Sequence, residues 1–152
     1  MSAHGALDDG RGLPSGRVLV VEDNEINLTV ITRMLNRLGC ETDVARNGQE
    51  ALEAWRENQY QLIMMDCEMP IMNGYEATTA IREEQGEAAP QIVATTAYAS
   101  GLHRVRCKHA GMDVFVAKPM TLAKLRDAMD KCQALRAEDE LVRGVPPQLL
   151  AG

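Results

Sequence analysis

Side chains able to act together in phosphoryl chemistry follow four short apolar segments of this sequence. Glu22 and Asp23 come after RVLVV, Asp66 after LIMM, Thr96 after QIVAT, and Lys118 after VFVA. Carboxylates gathered at one place repel one another, so they either take up protons or bind a hard divalent cation such as Mg2+. A lysine and a threonine hydroxyl suit phosphoryl oxygens, and Asp66 could itself be the nucleophile that forms an acyl phosphate.

Each of these residues also has a structural explanation when it is taken alone. Adjacent acids often precede or cap a helix, and a single Asp, Thr or Lys at the end of a strand is common. Short motifs also arise by chance, so no one residue is diagnostic. The chemical interpretation therefore depends on all of them lying at the same edge of one sheet.

The elements that would hold these residues are strands and helices in alternation. Strands are predicted at the short, mostly apolar segments RVLVV, ETDVA, LIMM, QIVAT and VFVA. A helix follows each strand, with N-caps predicted at Asn24, Ser100 and Thr121 and helix ends at Gly39 and Gly111. Strands that are apolar throughout are covered on both faces. The prediction is an α/β fold with a doubly wound, flavodoxin-like, five-stranded parallel sheet and helices on both faces.

Strand order decides whether the candidate residues meet. In an open parallel sheet, ligands bind beyond the carboxyl ends of the strands, near the point where the strand order reverses. If the strand order is 2-1-3-4-5, the first and third strands are neighbours, and Glu22, Asp23 and Asp66 converge. Mg2+ is therefore the expected cofactor.

Composition limits the partners and the number of domains. The 152 residues suffice for one domain, and the net charge of -6 argues against direct contact with nucleic acid. No apolar run reaches the roughly 20 residues that span a membrane, so no membrane contact by this domain is expected. The cysteines, Cys40, Cys67, Cys107 and Cys132, lack metal-site spacing and are predicted to be buried, reduced thiols of a cytoplasmic protein.

The two ends of the chain differ in composition from its middle. Residues 1–16 are rich in Gly, Ser and Asp, which predicts a disordered leader or linker. Residues 136–152 lose the helical period and reach Pro146 and Pro147, so they are predicted to form a C-terminal tail or linker. The folded domain is expected over residues 17–135.

Four stretches carry a resemblance to a known family. VLVVEDNEIN, LIMMDCEMPIMNGYEAT, IVATTAYAS and AGMDVFVAKPM resemble the receiver (CheY-like) domain of two-component response regulators. The motifs stand in the family's order, and the resemblance runs from Arg17 to about Leu135. Their style is most similar to receivers attached to hybrid sensor histidine kinases.

The resemblance implies a chemical role for each residue at the predicted site. Asp66 would be the phosphoacceptor, and Lys118 would pair with a phosphoryl oxygen. Asp23 would ligate Mg2+ directly and Glu22 mainly through water. Asp66 and the backbone carbonyl of Glu68 would complete the protein ligands of the metal.

The resemblance also implies a conformational switch. Thr96 would move to donate a hydrogen bond to another phosphoryl oxygen. Phe115 occupies the place of the aromatic residue that turns inward when the threonine moves, although a core residue of the last strand would fit that position equally. The Lys118–Pro119 peptide bond is expected in the cis form, as in other members of the family.

Two residues that flank the site vary within the family. Glu68 and Tyr98 lie two positions beyond Asp66 and Thr96. Tyr98 departs from the smaller polar residue that hybrid-kinase receivers often carry there. We hypothesise that the charge of Glu68 and the bulk of Tyr98 control how a water molecule reaches the aspartyl phosphate.

The function that the resemblance implies is phosphorelay signalling. The domain would take a phosphoryl group from a histidine kinase or a histidine phosphotransfer domain and switch its partner-binding surface, as part of a hybrid sensor histidine kinase. A stand-alone single-domain response regulator is the alternative. The domain itself would catalyse only its own phosphorylation and dephosphorylation, and whether the parent chain is a kinase stays open. Whether the domain forms a homodimer, and whether the parent chain is anchored in the inner membrane, also stay open.

Three other functions fit the sequence less well. A haloacid-dehalogenase-like phosphatase requires Asp-x-Asp, whereas Asp66 is followed by Cys67 and Glu68. A nucleotide-binding module is disfavoured because EDNEIN contains no glycine-rich loop. An inactive pseudo-receiver scaffold is disfavoured because every expected site residue is present.

Overall fold

The computed structural model describes residues 16–86, 89–144 and 148. The predicted leader, apart from Gly16, lies outside the described residues, as does the segment from residue 145 onward except for residue 148. No helix of the described part is long and apolar enough to cross a membrane.

Five parallel strands and five helices alternate along the described chain. The strands are β1 (Val18–Val21), β2 (Thr42–Ala45), β3 (Leu62–Asp66), β4 (Gln91–Thr96) and β5 (Val114–Ala117). The helices are α1 (Glu25–Arg37), α2 (Gly48–Asn58), α3 (Gly74–Glu84), α4 (Gly101–Ala110) and α5 (Leu122–Arg143). The strands pair in the order β2-β1-β3-β4-β5, which confirms the predicted doubly wound fold.

The sheet separates two hydrophobic clusters, one on each face. Helices α1 and α5 pack on one face, and α2, α3 and α4 pack on the other. Side chains of β3 alternate between the faces: Leu62 and Met64 enter the first cluster, and Ile63 and Met65 enter the second. Covering on both faces explains why the central strand is an uninterrupted apolar run that ends in Asp66.

Helix termini follow the predicted capping residues. The side chains of Asn24, Ser100 and Thr121 each accept a hydrogen bond from the backbone N–H three residues later, which confirms these N-caps. Asn73 does the same for α3 and forms a reciprocal capping box with Glu76. Caps define where each helix begins, so they also set the lengths of the loops at the carboxyl edge of the sheet.

Two elements differ from their sequence prediction. β2 is not buried along its length, because it is an edge strand, and Val44 is exposed. Helix α5 continues to Arg143, past the predicted start of a tail at residue 136. Its last buried residue is Cys132, so the remaining turns carry no apolar stripe that periodicity could detect. An ion pair between Arg143 and Asp139, four residues apart, lies in this exposed extension.

Candidate active site

Three carboxylates meet at the carboxyl edge of the sheet. The parallel pairing of β1 with β3 sets Val21 opposite Met65, so the residues that follow both strands emerge side by side. Carboxylate oxygens of Glu22, Asp23 and Asp66 all lie within 4.8 Å of one another. Glu22 and Asp66 are buried and Asp23 is exposed, so the cluster has one side toward solvent.

Lys118 follows β5 and reaches the two buried acids from beyond β4. Its Nζ lies 2.9 Å from Oε1 of Glu22 and 3.0 Å from Oδ1 of Asp66. Because β4 stands between β3 and β5, only a long side chain can reach Asp66 from the end of β5. The backbone N–H of Lys118 donates to the carbonyl of Thr96 at 2.7 Å, and the Lys118–Pro119 bond is cis, as the resemblance implies.

The two buried carboxylates shift each other's pKa in opposite directions. Burial raises the pKa of Asp66 to about 8, and the neighbouring Glu22 adds to the rise while Lys118 opposes it. Burial also acts to raise the pKa of Glu22, but hydrogen bonds from Asp66 and Lys118 outweigh burial and lower it. The pKa of Lys118 is raised, because Glu22 and Asp66 outweigh the opposing effect of burial.

The residues present fit a hard divalent cation. Oδ2 of Asp66 is buried and accepts no hydrogen bond from any residue that the structure describes. An orphaned carboxylate oxygen in such a place is costly unless a cation satisfies it. Glu22 and Asp23 supply further oxygen ligands, which Mg2+ prefers. The role expected for the backbone carbonyl of Glu68 stays a prediction.

The Thr96 hydroxyl is hydrogen-bonded to Glu68, two residues beyond Asp66. It is within 3.0 Å of Oε1 and 2.9 Å of Oε2 of Glu68, to which it donates, and it accepts the backbone N–H of Tyr98 at 3.0 Å. The Thr96 side chain is fully buried. Sequence reasoning placed Glu68 beside the site but missed this contact, although the neighbouring positions of β3 and β4 could have suggested it.

Tyr98 and Phe115, the two aromatic residues predicted to act at the site, are both more exposed than Thr96. Tyr98 is 56% exposed, and its ring stacks on His103 with a centroid separation of 5.3 Å. Phe115 is partly buried against the cluster formed by α2, α3 and α4. The guanidinium of Arg104 lies 4.4 Å from the centroid of the Phe115 ring. The inward turn of Phe115 and the effect of Tyr98 on water remain predictions.

Gly74 is a site-supporting residue that sequence reasoning did not single out as such. A Cβ at this position would lie 2.1 Å from the backbone carbonyl oxygen of Asp66. The backbone N–H of Gly74 donates to the carbonyl of Cys67 at 3.1 Å. Only a residue without a side chain lets α3 begin this close to the end of β3. The Asn73–Gly74 pair at the start of the third helix was the available signal.

Comparison with known proteins places this geometry in a family. The response regulator receiver domain family matches residues 18–130. Hybrid signal transduction histidine kinase A of Dictyostelium discoideum is 38% identical over 76% of this chain, which spans only 6% of that protein. Two-component response regulator 24 of Arabidopsis thaliana is 40% identical over 74% of this chain and 81% of its own length.

Solved receiver structures share the fold. The receiver domain of a sensor histidine kinase from Pseudomonas aeruginosa PAO1, with a magnesium ion in its active-site cleft, is 36% identical with a TM-score of 0.71. The match covers 79% of this chain and 99% of that one. A second match is the receiver domain of the Saccharomyces cerevisiae response regulator Ssk1, in a co-crystal structure with the histidine phosphotransfer signaling protein Ypd1. That match has 31% identity and a TM-score of 0.72, and it covers 80% of this chain and 91% of the other.

Proposed function

This chain belongs to the response regulator receiver domain family, and on that basis we propose that Asp66 accepts a phosphoryl group from a phosphohistidine in a Mg2+-dependent phosphorelay. The observation that carries the proposal is the buried carboxylate of Asp66, within 4.8 Å of two further acids and 3.0 Å from Lys118. Phosphoryl transfer needs positioning and charge neutralisation more than covalent chemistry, and this cluster provides both.

The residues of the cluster have different roles in phosphoryl transfer. Glu22, Asp23, Asp66 and the backbone carbonyl of Glu68 would hold Mg2+, which supplies charge neutralisation for phosphoryl oxygens. A carboxylate oxygen of Asp66 attacks phosphorus while the bond from phosphorus to the imidazole nitrogen of the donor breaks. Lys118 shifts from a carboxylate oxygen toward the incoming phosphoryl group, because that group brings the larger negative charge.

Thr96 and Phe115 couple phosphorylation of Asp66 to the packing of α4 and β5. The aspartyl phosphate offers new acceptor oxygens, so the Thr96 hydroxyl exchanges its bond with Glu68 for one with the phosphoryl group. Phe115 then moves into the space left by the threonine and leaves the Arg104 guanidinium. Phosphorylation shifts the population between two packings of α4 and β5, which requires a preference of only a few kcal/mol.

We further propose a hybrid sensor histidine kinase as the parent protein, in the cytoplasm or anchored in the inner membrane with this domain on the cytoplasmic side. Support comes from the hybrid kinases among the relatives, of which this chain spans a small part. A stand-alone regulator is the alternative, because one relative matches over 81% of its own length. The phosphoryl donor or acceptor is a histidine kinase or a histidine phosphotransfer domain.

The test is phosphoryl transfer from a radiolabelled histidine phosphotransfer protein, or from acetyl phosphate, to the purified domain. We expect acid-stable, base-labile label on Asp66 that requires Mg2+. Asp66→Asn should abolish labelling, whereas Asp130→Asn, on the exposed face of α5, should leave it unchanged. Label that persists in Asp66→Asn, or a wild-type domain that stays unlabelled in Mg2+, would contradict the proposal.

A further inference from the structure

Two buried thiols touch beside the phosphoacceptor. Cys67 directly follows Asp66, and its Sγ lies 3.7 Å from Sγ of Cys107, forty positions later in the chain. Both thiols are free, and their side chains are almost fully buried. A disulfide needs a sulfur–sulfur distance of about 2.05 Å, so a shift of roughly 1.7 Å would suffice to join them.

Cys107 is the residue through which α4 packs most deeply against the core. It is the one buried residue of this ten-residue helix, whose Leu102 and Val105 are 78% and 66% exposed. A helix held by so small a buried face opens locally at low cost, which lets reagents reach a thiol that is covered on average. The Cys67–Cys107 contact therefore links the residue after the phosphoacceptor to a loosely held helix.

The two thiols differ in access. Cys107 lines a surface cleft of about 180 Å3 together with Arg104, Lys108 and Phe115. Cys67 is 0% exposed. A small oxidant entering the cleft would therefore meet Cys107 first and find Cys67 behind it.

We propose that Cys107 and Cys67 form a redox-modification site at which a hydroperoxide generates a disulfide. The Cys107 sulfur attacks the peroxide oxygen and the O–O bond breaks. The departing oxygen takes up the Cys107 thiol proton and leaves as water or an alcohol, and Cys107 becomes a sulfenic acid. The Cys67 sulfur then attacks the sulfenic sulfur, the S–O bond breaks, and the departing hydroxyl takes up the Cys67 thiol proton and leaves as water. Two electrons pass from the thiols to the peroxide.

The disulfide would connect two parts that the proposed function requires to move separately. A covalent bond from Cys67 to Cys107 ties the end of β3 to α4, the helix that bears Arg104 against Phe115. Oxidation then restrains the α4 rearrangement and lowers the phosphorylation rate at Asp66. This regulatory consequence rests on the proposed function, whereas formation of the bond does not.

The experiment treats the reduced chain with hydrogen peroxide and maps the peptides by mass spectrometry. We expect a Cys67–Cys107 linked peptide that dithiothreitol reverses. Cys67→Ser should instead accumulate a sulfenic acid on Cys107 that dimedone traps, and Cys107→Ser should leave Cys67 unmodified. Cys132→Ser, a thiol on the opposite face of the sheet, is the matched control and should form the linked peptide normally. Linkage that includes Cys40 or Cys132 as readily, or oxidation to sulfinic acid without linkage, would overturn the site.

Acetyl phosphate labelling separates this site from the function. The oxidised chain should label roughly tenfold more slowly than the reduced one, and dithiothreitol should restore the rate. A disulfide that forms without changing the rate would overturn the regulatory consequence. Normal labelling of a chain that forms no disulfide would overturn the redox site and leave the proposed function standing.

Discussion

At the scale of single residues, the contact between Glu68 and Thr96 sets the resting state of the site. The Thr96 hydroxyl, which has one proton, donates it to the carboxylate of Glu68. Under the proposed function, it would have to give up this charge-assisted hydrogen bond before binding a phosphoryl oxygen. Glu68 would then oppose activation through Thr96, in addition to any effect of its charge on an attacking water.

Replacing Glu68 with alanine should make the activated state easier to reach. Loss of one hydrogen bond of about 1 kcal/mol predicts roughly fivefold tighter binding of beryllofluoride in Mg2+, measured by calorimetric titration. Glu83→Ala, an exposed acid on α3, serves as the control for loss of charge. Equal affinity in Glu68→Ala and the parent chain would show that the contact does not restrain Thr96.

The lifetime of the phosphorylated form tests both residues that flank the site. Glu68→Ala removes a negative charge and Tyr98→Ala removes an exposed ring, so both should accelerate autodephosphorylation by several-fold if they exclude or repel water. The measurement is loss of label from Asp66 after the phosphodonor is removed. Rates indistinguishable from the parent in both variants would end the water-access hypothesis.

Asp43 provides a titratable restraint on the edge of the sheet. Its carboxylate accepts hydrogen bonds from Arg17, at 2.7 Å, and from the Tyr60 hydroxyl. Burial acts to raise the pKa of Asp43, but the hydrogen bonds from Tyr60 and Arg17 outweigh burial and lower it. A pKa below the unfolded value means that this stabilisation is full above pH ~4 and is lost as the pH falls through the folded pKa.

Asp43→Asn should therefore destabilise the domain in a pH-dependent way. We expect a loss of about 1 kcal/mol in the free energy of unfolding at pH 7, measured by urea denaturation, because Asp43 is partly exposed and its pairing with Arg17 is screened. The difference between the variant and the parent should shrink as the pH falls below about 4. A difference that is constant from pH 7 to pH 3 would contradict the assignment.

At the scale of elements, two glycines at the same position of a helix differ in whether the structure leaves room for a side chain. Gly74 and Gly101 each open a helix directly after an N-cap. A Cβ on Gly74 would collide with the backbone of Asp66 at 2.1 Å, whereas a Cβ on Gly101 would meet nothing within 4 Å. The close approach of α3 to the end of β3 is thus what demands glycine, not the helix start.

Gly74→Ala and Gly101→Ala form a matched pair. We expect Gly74→Ala to lower the free energy of unfolding by roughly 2–4 kcal/mol, because backbone atoms cannot yield to relieve the collision. Gly101→Ala should be neutral or stabilising by up to about 1 kcal/mol, because alanine restricts the unfolded chain. Urea denaturation measures both, and equal effects would refute the steric explanation.

At the scale of the whole molecule, the packed body ends before α5 does. Cys132 is the last buried residue of α5, and the Arg136 guanidinium donates to Gln91 at 2.6 Å. Residues 137–144 of the described chain are exposed. The predicted boundary at residue 135 therefore lies inside α5, and the division of the chain into domain and tail stays a prediction.

Truncation after residue 136 should leave a functional domain. Because the removed turns bury no side chain, we expect the free energy of unfolding to change by less than about 0.5 kcal/mol. The phosphorylation rate with acetyl phosphate should be unchanged. Truncation after Met129 is the contrast, since it removes the buried Cys132 and should destabilise the domain. A large loss from the first truncation would show that the exposed turns support the fold.

The sequence by itself determined the alternation of strands and helices, their caps and the strand-end positions of the acids. These features depend on neighbours a few residues apart, through hydrophobic periodicity and capping chemistry, and the parallel sheet then brings the strand ends to one edge. The family resemblance added the roles of the site residues.

Only the tertiary structure decided which of these side chains touch. Lys118 reaches across β4 to Asp66, Thr96 bonds Glu68 from 28 positions away, and Cys67 meets Cys107 from 40. Such contacts depend on the register of neighbouring strands and on how each helix packs, which no local pattern encodes. For the same reason the full length of α5 escaped prediction, since exposed turns carry no apolar period.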